Sequence, residues 1–136
     1  MLFGQDHVNR YVATDGEEGH EWNGTTVLIL TTTGRRSGDQ RSTPLIYGQH
    51  EDDYLVVASK GGAPEHPAWY LNLAEHPDVH VQVLGDRFAA RARTATAEEK
   101  PELWQEMTGR WPAYDEYQHK TSRDIPVVVL ERVQAP

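Results

Sequence analysis

The sequence predicts a mainly β, α+β fold: a small barrel of six or so mostly antiparallel strands, with short helices plugging one end. Three observations predict it. Short runs rich in Val, Ile, Leu, Thr, Tyr and Phe recur along the chain, bounded by Gly, Pro, Asn or Asp. Helical patterning is confined to short stretches, most of them late in the chain. The 136 residues suffice for one domain around one core.

Residues 1–23 are polar and acidic, with Asp15, Glu17, Glu18 and Glu21 against Arg10, and are expected as an N-terminal arm or short helix. Residues 24–136 are expected as the barrel domain. Thr25–Thr33 opens it as a strand, and Gly34–Gln40 is a loop. Arg41–Gln49 is the second strand, where Pro44 argues for an edge or a bulge. Residues 49–53 turn into a third strand over Tyr54–Ser59. Lys60-Gly61-Gly62-Ala63-Pro64 breaks the pattern. A short helix follows over His66–Ala74, with Pro67 in its first turn. Val79, Val81 and Val83 alternate with His80 and Gln82 as a half-buried strand, and Gly85-Asp86 turns into another over Phe88–Ala95. Thr96 and Glu99 have capping-box spacing, so a helix starts there. Leu103, Trp104 and Met107 give it an apolar face, and Trp111-Pro112 closes it. Tyr114–Lys120 is a short helical or turn segment, and Ile125–Arg132 is the last strand.

Composition weighs against several function classes. The formal net charge is −8, from 21 acidic against 13 basic side chains. That balance argues against nucleic-acid binding, whose footprint is basic, and against docking on anionic lipid. With no cysteine, disulfides, thiol catalysis and thiolate metal sites are out. His76 and His80 are four apart, but Pro77 and a strand start spoil them as a helical ligand pair, so no metal is expected. No basic-then-apolar leader and no aliphatic run beyond four residues occur, so no integral membrane segment is expected and the cytoplasm is the default location.

Four segments carry candidate chemistry. In the first, Arg35, Arg36 and Arg41 crowd into a glycine-punctuated loop with Ser37. Guanidinium forks suit phosphate and carboxylate oxygens, so the loop reads as a pocket for an anionic cofactor tail, or else as a solvated hairpin. It is neither a P-loop nor a dinucleotide fingerprint. The second is Val57-Ala58-Ser59-Lys60-Gly61-Gly62, where paired glycines admit a flat ring close to the backbone and Lys60 could neutralise a phosphate; a strand-to-loop turn explains it equally. In the third, Ala68-Trp69-Tyr70-Leu71-Asn72, aromatics wall a pocket or fill the core. In the fourth, Tyr114 and Tyr117 share one face of a helical turn, as donors to a substrate or as a plug for the barrel end.

In this order and spacing the segments resemble the deazaflavin-dependent nitroreductase and oxidoreductase family. The matching stretches are Thr32–Gly38, Arg41 through Leu45, Ala58–Ala63, His66–Leu73, Tyr114 through Tyr117, and Ile125–Val128. The resemblance implies a split β-barrel related to flavin-mononucleotide-binding oxidoreductases. It implies coenzyme F-420, an 8-hydroxy-5-deazaflavin whose side chain carries a phosphate and an oligoglutamate tail. Carried over, Arg35, Arg36, Ser37 and Arg41 would hold phosphate and carboxylates. Ser42, Thr43, Pro44, Leu45 and Ile46, with Val57, Ala58, Ser59 and Lys60, would contact the ring system. Ala68, Trp69, Tyr70, Leu71 and Asn72 would wall the pocket, and Tyr114, Tyr117 or Ser59 would hydrogen-bond the substrate. Some members carry tyrosines where this chain has Ile46 and Trp111, on the substrate side.

The implied activity is hydride transfer from the reduced deazaflavin to a small-molecule electron acceptor such as a quinone, nitro compound or activated enone. The alternative is a non-catalytic carrier of the coenzyme, with Trp111 and Ile46 filling the acceptor pocket. A flavin-mononucleotide oxidase of the same barrel class is a third candidate. Related split barrels often pair, so a homodimer is compatible with the resemblance.

Overall fold

A computed structural model describes residues 1–133. In chain order these form α1 (Gly4–Thr14), β1 (Glu21–Trp22), β2 (Thr25–Thr33), β3 (Gln40–Ile46), β4 (Gly48–His50) and β5 (Asp53–Val57). A 3-10 turn over Lys60–Gly62 and α2 (Ala68–Glu75) follow, then β6 (Asp78–Val83), β7 (Asp86–Thr94), α3 (Lys100–Arg110), α4 (Ala113–His119) and β8 (Val127–Arg132). All strand pairs are antiparallel, in the order β1-β2-β6-β7-β8-β5-β4, with β3 on β2. The sheet curls into the expected split barrel. Two of the eight strands hold only two and three residues, which is why six or so are legible in the sequence.

The expected strand over Arg41–Gln49 is two strands. Its first part pairs with β2 and its second with β5, so the chain changes partner at the buried Tyr47. β3 pairs only with β2, the edge setting that tolerates Pro44. The first inserted helix starts at Ala68 rather than His66, because Pro67 stays extended at ψ 151° as its N-cap. Residues 1–23 carry α1 and β1.

Burial explains the uninterrupted apolar runs. Leu28 and Leu30 enter the barrel core with Val56, Phe88 and Leu130, whereas Val27 and Ile29 point at Val8 and Tyr11 of α1. On the facing half, Val56, Val128 and Leu130 point into the barrel. Leu55, Val57, Val127 and Val129 pack under Leu103, Met107 and Tyr114. Both faces of these strands are covered, so period-two alternation is lost from the sequence. Tyr11 is fully buried and its hydroxyl accepts from the Leu84 amide at 2.8 Å, tying α1 to the β6–β7 turn. The capping box forms: Thr96 N–H donates to Glu99 at 2.9 Å and Glu99 N–H to Thr96 Oγ1 at 3.3 Å, with regular helix from Lys100. Among the described residues, no helix is long and apolar enough to cross a membrane.

Candidate functional site

The arginine loop is a tight reversal between β2 and β3. Gly34 N–H donates to Asp39 O at 2.7 Å and Gly38 N–H to Gly34 O at 2.9 Å, with Gly38 at φ +76°. Asn72, buried on α2, accepts through Oδ1 from both the Arg35 backbone N–H (3.1 Å) and its guanidinium (2.9 Å). This fixes Arg35 against the loop base. Arg36 and Arg41 are exposed, and neither has an ion-pair partner among the described residues. Arg35, Arg36, Ser37, Arg41, Ser42 and Thr43 line one cavity of about 660 Å³, floored by Ala68, Trp69 and Asn72.

Trp69 also lines a second cavity, of about 420 Å³. Its walls are Pro44, Leu45 and Ile46 of β3, Val57 of β5, the turn residues Ser59, Lys60 and Gly61, and Trp111, Tyr114 and Tyr117. One compartment is cationic and the next apolar and aromatic, a pairing suited to a molecule with an anionic tail and a flat head. Tyr114 is buried, and burial, helped by Tyr117, pushes its hydroxyl far above the ordinary tyrosine range. It therefore stays protonated, and it has no hydrogen-bond partner among the described residues. The Trp111 indole N–H donates to the Tyr117 hydroxyl at 3.4 Å, leaving the Tyr117 proton free to donate onward.

The glycine turn is shaped by backbone demands. Lys60, Gly61 and Gly62 all have positive φ, at 46°, 63° and 85°. A Cβ on Gly62 would stand 2.7 Å from the Tyr117 carbonyl oxygen, so the turn packs directly on the α4 backbone. The Lys60 ammonium lies 3.3 Å from Glu65 in an exposed pair.

Of the residues singled out from sequence, Ala58, Tyr70 and Leu71 lie outside both linings. Ala58 is fully buried in the core. Helical spacing turns Ala68, Trp69 and Asn72 to the cavities, while Tyr70 instead bonds Thr94 through its hydroxyl at 2.8 Å. Gly62 also lies outside both, packed on the α4 backbone, and the other candidate cofactor-binding and catalytic residues line one cavity or both. Sequence reasoning missed the amino-terminal contribution: Leu2, Phe3, His7 and Trp22 line the apolar cavity, and Gln5 and Val8 the cationic one. The apolar Val8 and Tyr11, three apart, were the available signal. Arg123, which gathers the 58–66 segment, was also missed, and a lone arginine in a polar stretch carries no signal.

The F420H(2)-dependent quinone reductase family model matches residues 3–132. An F420H(2)-dependent quinone reductase of Mycobacterium tuberculosis is 42% identical over 130 residues, 93% of this chain and 87% of that protein. Among solved structures, an F420-H2 dependent reductase (FDR-A) is 40% identical with a TM-score of 0.72, over 77% of this chain and 93% of its own. Another, a domain-swapped dimer, is 36% identical with a TM-score of 0.75, over 93% of this chain and 96% of its own.

Proposed function

The chain belongs to the F420H(2)-dependent quinone reductase family, and from that premise we propose how its own residues bind the coenzyme and serve the reaction. The reaction is reduction of a quinone by reduced coenzyme F-420. When bound, the reduced deazaflavin supplies a hydride, so the protein's share is binding, orientation and electrostatics. The observation that carries the assignment is the junction at Trp69 between a compartment lined by unpaired guanidinium groups and an apolar, aromatic one.

Arg36 and Arg41 bind the phosphate and glutamate carboxylates through charge-assisted hydrogen bonds. Arg35, held by Asn72, adds a cation fixed in place. Pro44, Leu45, Ile46, Val57 and Trp69 orient the planar head and exclude water. On the acceptor side, Tyr114 holds a proton at its hydroxyl, opposite charge developing on a quinone oxygen. Tyr117 and Ser59 flank the same space. Nitro compounds and activated enones share the quinone's electron-poor character and complete the proposed acceptor range. The carrier alternative requires Ile46 and Trp111 to fill the acceptor space; both stand in the walls of the apolar cavity, and turnover needs its volume of about 420 Å³ to take the acceptor beside the coenzyme head.

Fluorescence titration of F-420 tests the tail site. Arg41→Ala should weaken binding roughly tenfold or more, the loss of about 1.5–3 kcal/mol for a hydrogen bond to a charged group. Unchanged affinity would remove the site. Steady-state oxidation of reduced F-420 by menadione separates reductase from carrier. With no helix able to span a bilayer among the described residues, a cytoplasmic location is part of the proposal. The relative solved as a domain-swapped dimer supports a homodimer, which sedimentation would reveal.

A further inference from the structure

Arg123 lies between α4 and β8, outside both cavity linings. Its guanidinium nevertheless makes more hydrogen bonds than any other side chain near the site. Nε donates to Ala63 O at 2.8 Å and Nη2 to Ser59 O at 2.7 Å. Nη1 meets both Ala58 O at 3.2 Å and His66 Nδ1 at 3.1 Å. It has no ion-pair partner among the described residues. A cation not committed to a carboxylate is here committed to backbone carbonyls. The residues it gathers bracket those that wall the apolar cavity: Ser59, Lys60 and Gly61 inside the bracket, Pro67 and Trp69 just after it.

Arg123 is itself held. Gln118 on α4 donates to the Arg123 carbonyl at 2.7 Å and accepts from the Ile125 amide at 2.9 Å. The same helix carries Tyr114 and Tyr117, and the Gly62 turn packs on its backbone. One guanidinium thus links the wall built by residues 59–69 to the wall built by α4. The turn it holds runs through three consecutive positive-φ residues, a conformation that needs external support.

We propose that Arg123 is a positioning residue: it holds the Ser59–Gly61 wall at the spacing from Tyr114 and Tyr117 that the deazaflavin head and the acceptor require. The proposal rests on the coenzyme assignment above, but part of its test does not. A lysine at this position keeps the charge yet cannot serve four acceptors at once.

The experiment has two arms on the full chain. In the first, hydrogen exchange is followed without coenzyme in wild type and Arg123→Lys. Faster exchange confined to peptides spanning 58–66, with β2 and β6 unchanged, is the expected result. Unchanged exchange, or a parallel rise everywhere, overturns the proposal. In the second arm, F-420 and its tail-less 8-hydroxy-5-deazaflavin head are titrated, and turnover with menadione is measured. Arg123→Lys should weaken both ligands by the same factor and lower kcat roughly ten- to a hundredfold, the scale of a small misplacement of reacting groups. Arg41→Ala should weaken only the tailed ligand. Equal affinities and kcat in wild type and Arg123→Lys overturn the positioning role while leaving the coenzyme assignment standing. Failure of wild type to bind F-420 overturns that assignment, and the exchange arm then decides alone whether Arg123 holds the turn. Should Arg123→Lys not fold, Gln118→Ala, which releases the Arg123 backbone, is expected to give the same exchange pattern, and an unchanged pattern there overturns the proposal.

Discussion

Individual side chains in the two cavities divide into those that are free and those already committed, and that division orders the effects of substitution. Arg36 and Arg41 have no ion-pair partner among the described residues, whereas Lys60 already faces Glu65 in an exposed pair. An exposed pair contributes only about 0–1 kcal/mol, so it competes weakly with a coenzyme oxyanion but does compete. Lys60→Ala is therefore expected to weaken F-420 binding less than Arg41→Ala, by titration at one ionic strength. Asn72 sets a different case, because it holds Arg35 through a neutral oxygen. Asn72→Asp keeps an acceptor in place but sets a carboxylate against the guanidinium. Binding of the anionic tail should weaken, and the affinity should depend less steeply on salt; an unchanged affinity and salt slope would show that Arg35 does not face the tail. On the acceptor side, Tyr114→Phe preserves the ring that packs on Leu103 and Met107 and removes only the hydroxyl. If that hydroxyl supplies the proton, kcat falls by about a hundredfold or more with Tm nearly unchanged. A full rate in Tyr114→Phe would assign the proton to Tyr117, Ser59 or water.

Secondary-structure elements show how far local chemistry carries. The capping box at Thr96 and Glu99 was legible from spacing alone, because both bonds are made within four residues. Thr96→Ala should lower stability by about 1 kcal/mol, the usual loss for an N-cap hydroxyl, measurable by urea denaturation. The split of the second strand at Tyr47 was not legible. Gly48 hints at a break within the strand pattern, but nothing local says that the chain leaves β2 there and joins β5. The Lys60–Gly62 turn lies between these cases. Its glycines announced a turn, but not the reason Gly62 admits no side chain, which is the Tyr117 carbonyl 2.7 Å from the place a Cβ would take. Gly62→Ala combines that overlap with a positive φ, a strain of about 1–3 kcal/mol. The expected outcome is a folded protein with the turn pushed off α4 and head-group affinity lost, whereas affinity for the tail falls only in proportion. Unchanged binding of the tail-less deazaflavin would show that this turn does not touch the head.

For the whole molecule, the antiparallel barrel class was visible in sequence, whereas the strand order, which sets β2 beside β6 and β5 beside β8, and the contacts made by distant packing were not. Arg123 reaches residues about sixty positions away, and α1 closes over β2 and β3 to line both cavities; neither leaves a local trace. The same long-range packing sets the response to pH. His20 bonds the buried Tyr47 hydroxyl at 2.8 Å, and His66 accepts from Arg123, a role open only to a neutral ring. Burial lowers both imidazole pKa values, with Arg123 reinforcing the effect at His66 and Glu21 opposing it at His20. In the unfolded chain both ionise near 6.5. Their contribution to stability is therefore present above about pH 6.5 and is lost as pH falls through the lower folded values. Tyr11 acts at the other end. Burial pushes its hydroxyl up to about 12 from 10.0, so its contribution is complete below pH 10 and is lost as pH rises towards 12. Tm should accordingly form a plateau between these limits, falling on the acid side before the carboxylates titrate. His66→Gln supplies Arg123 with an acceptor that does not titrate. It should flatten part of the fall that sets in below about pH 6.5 without shifting the alkaline limb, and an acid limb identical to wild type would assign that fall to His20 instead.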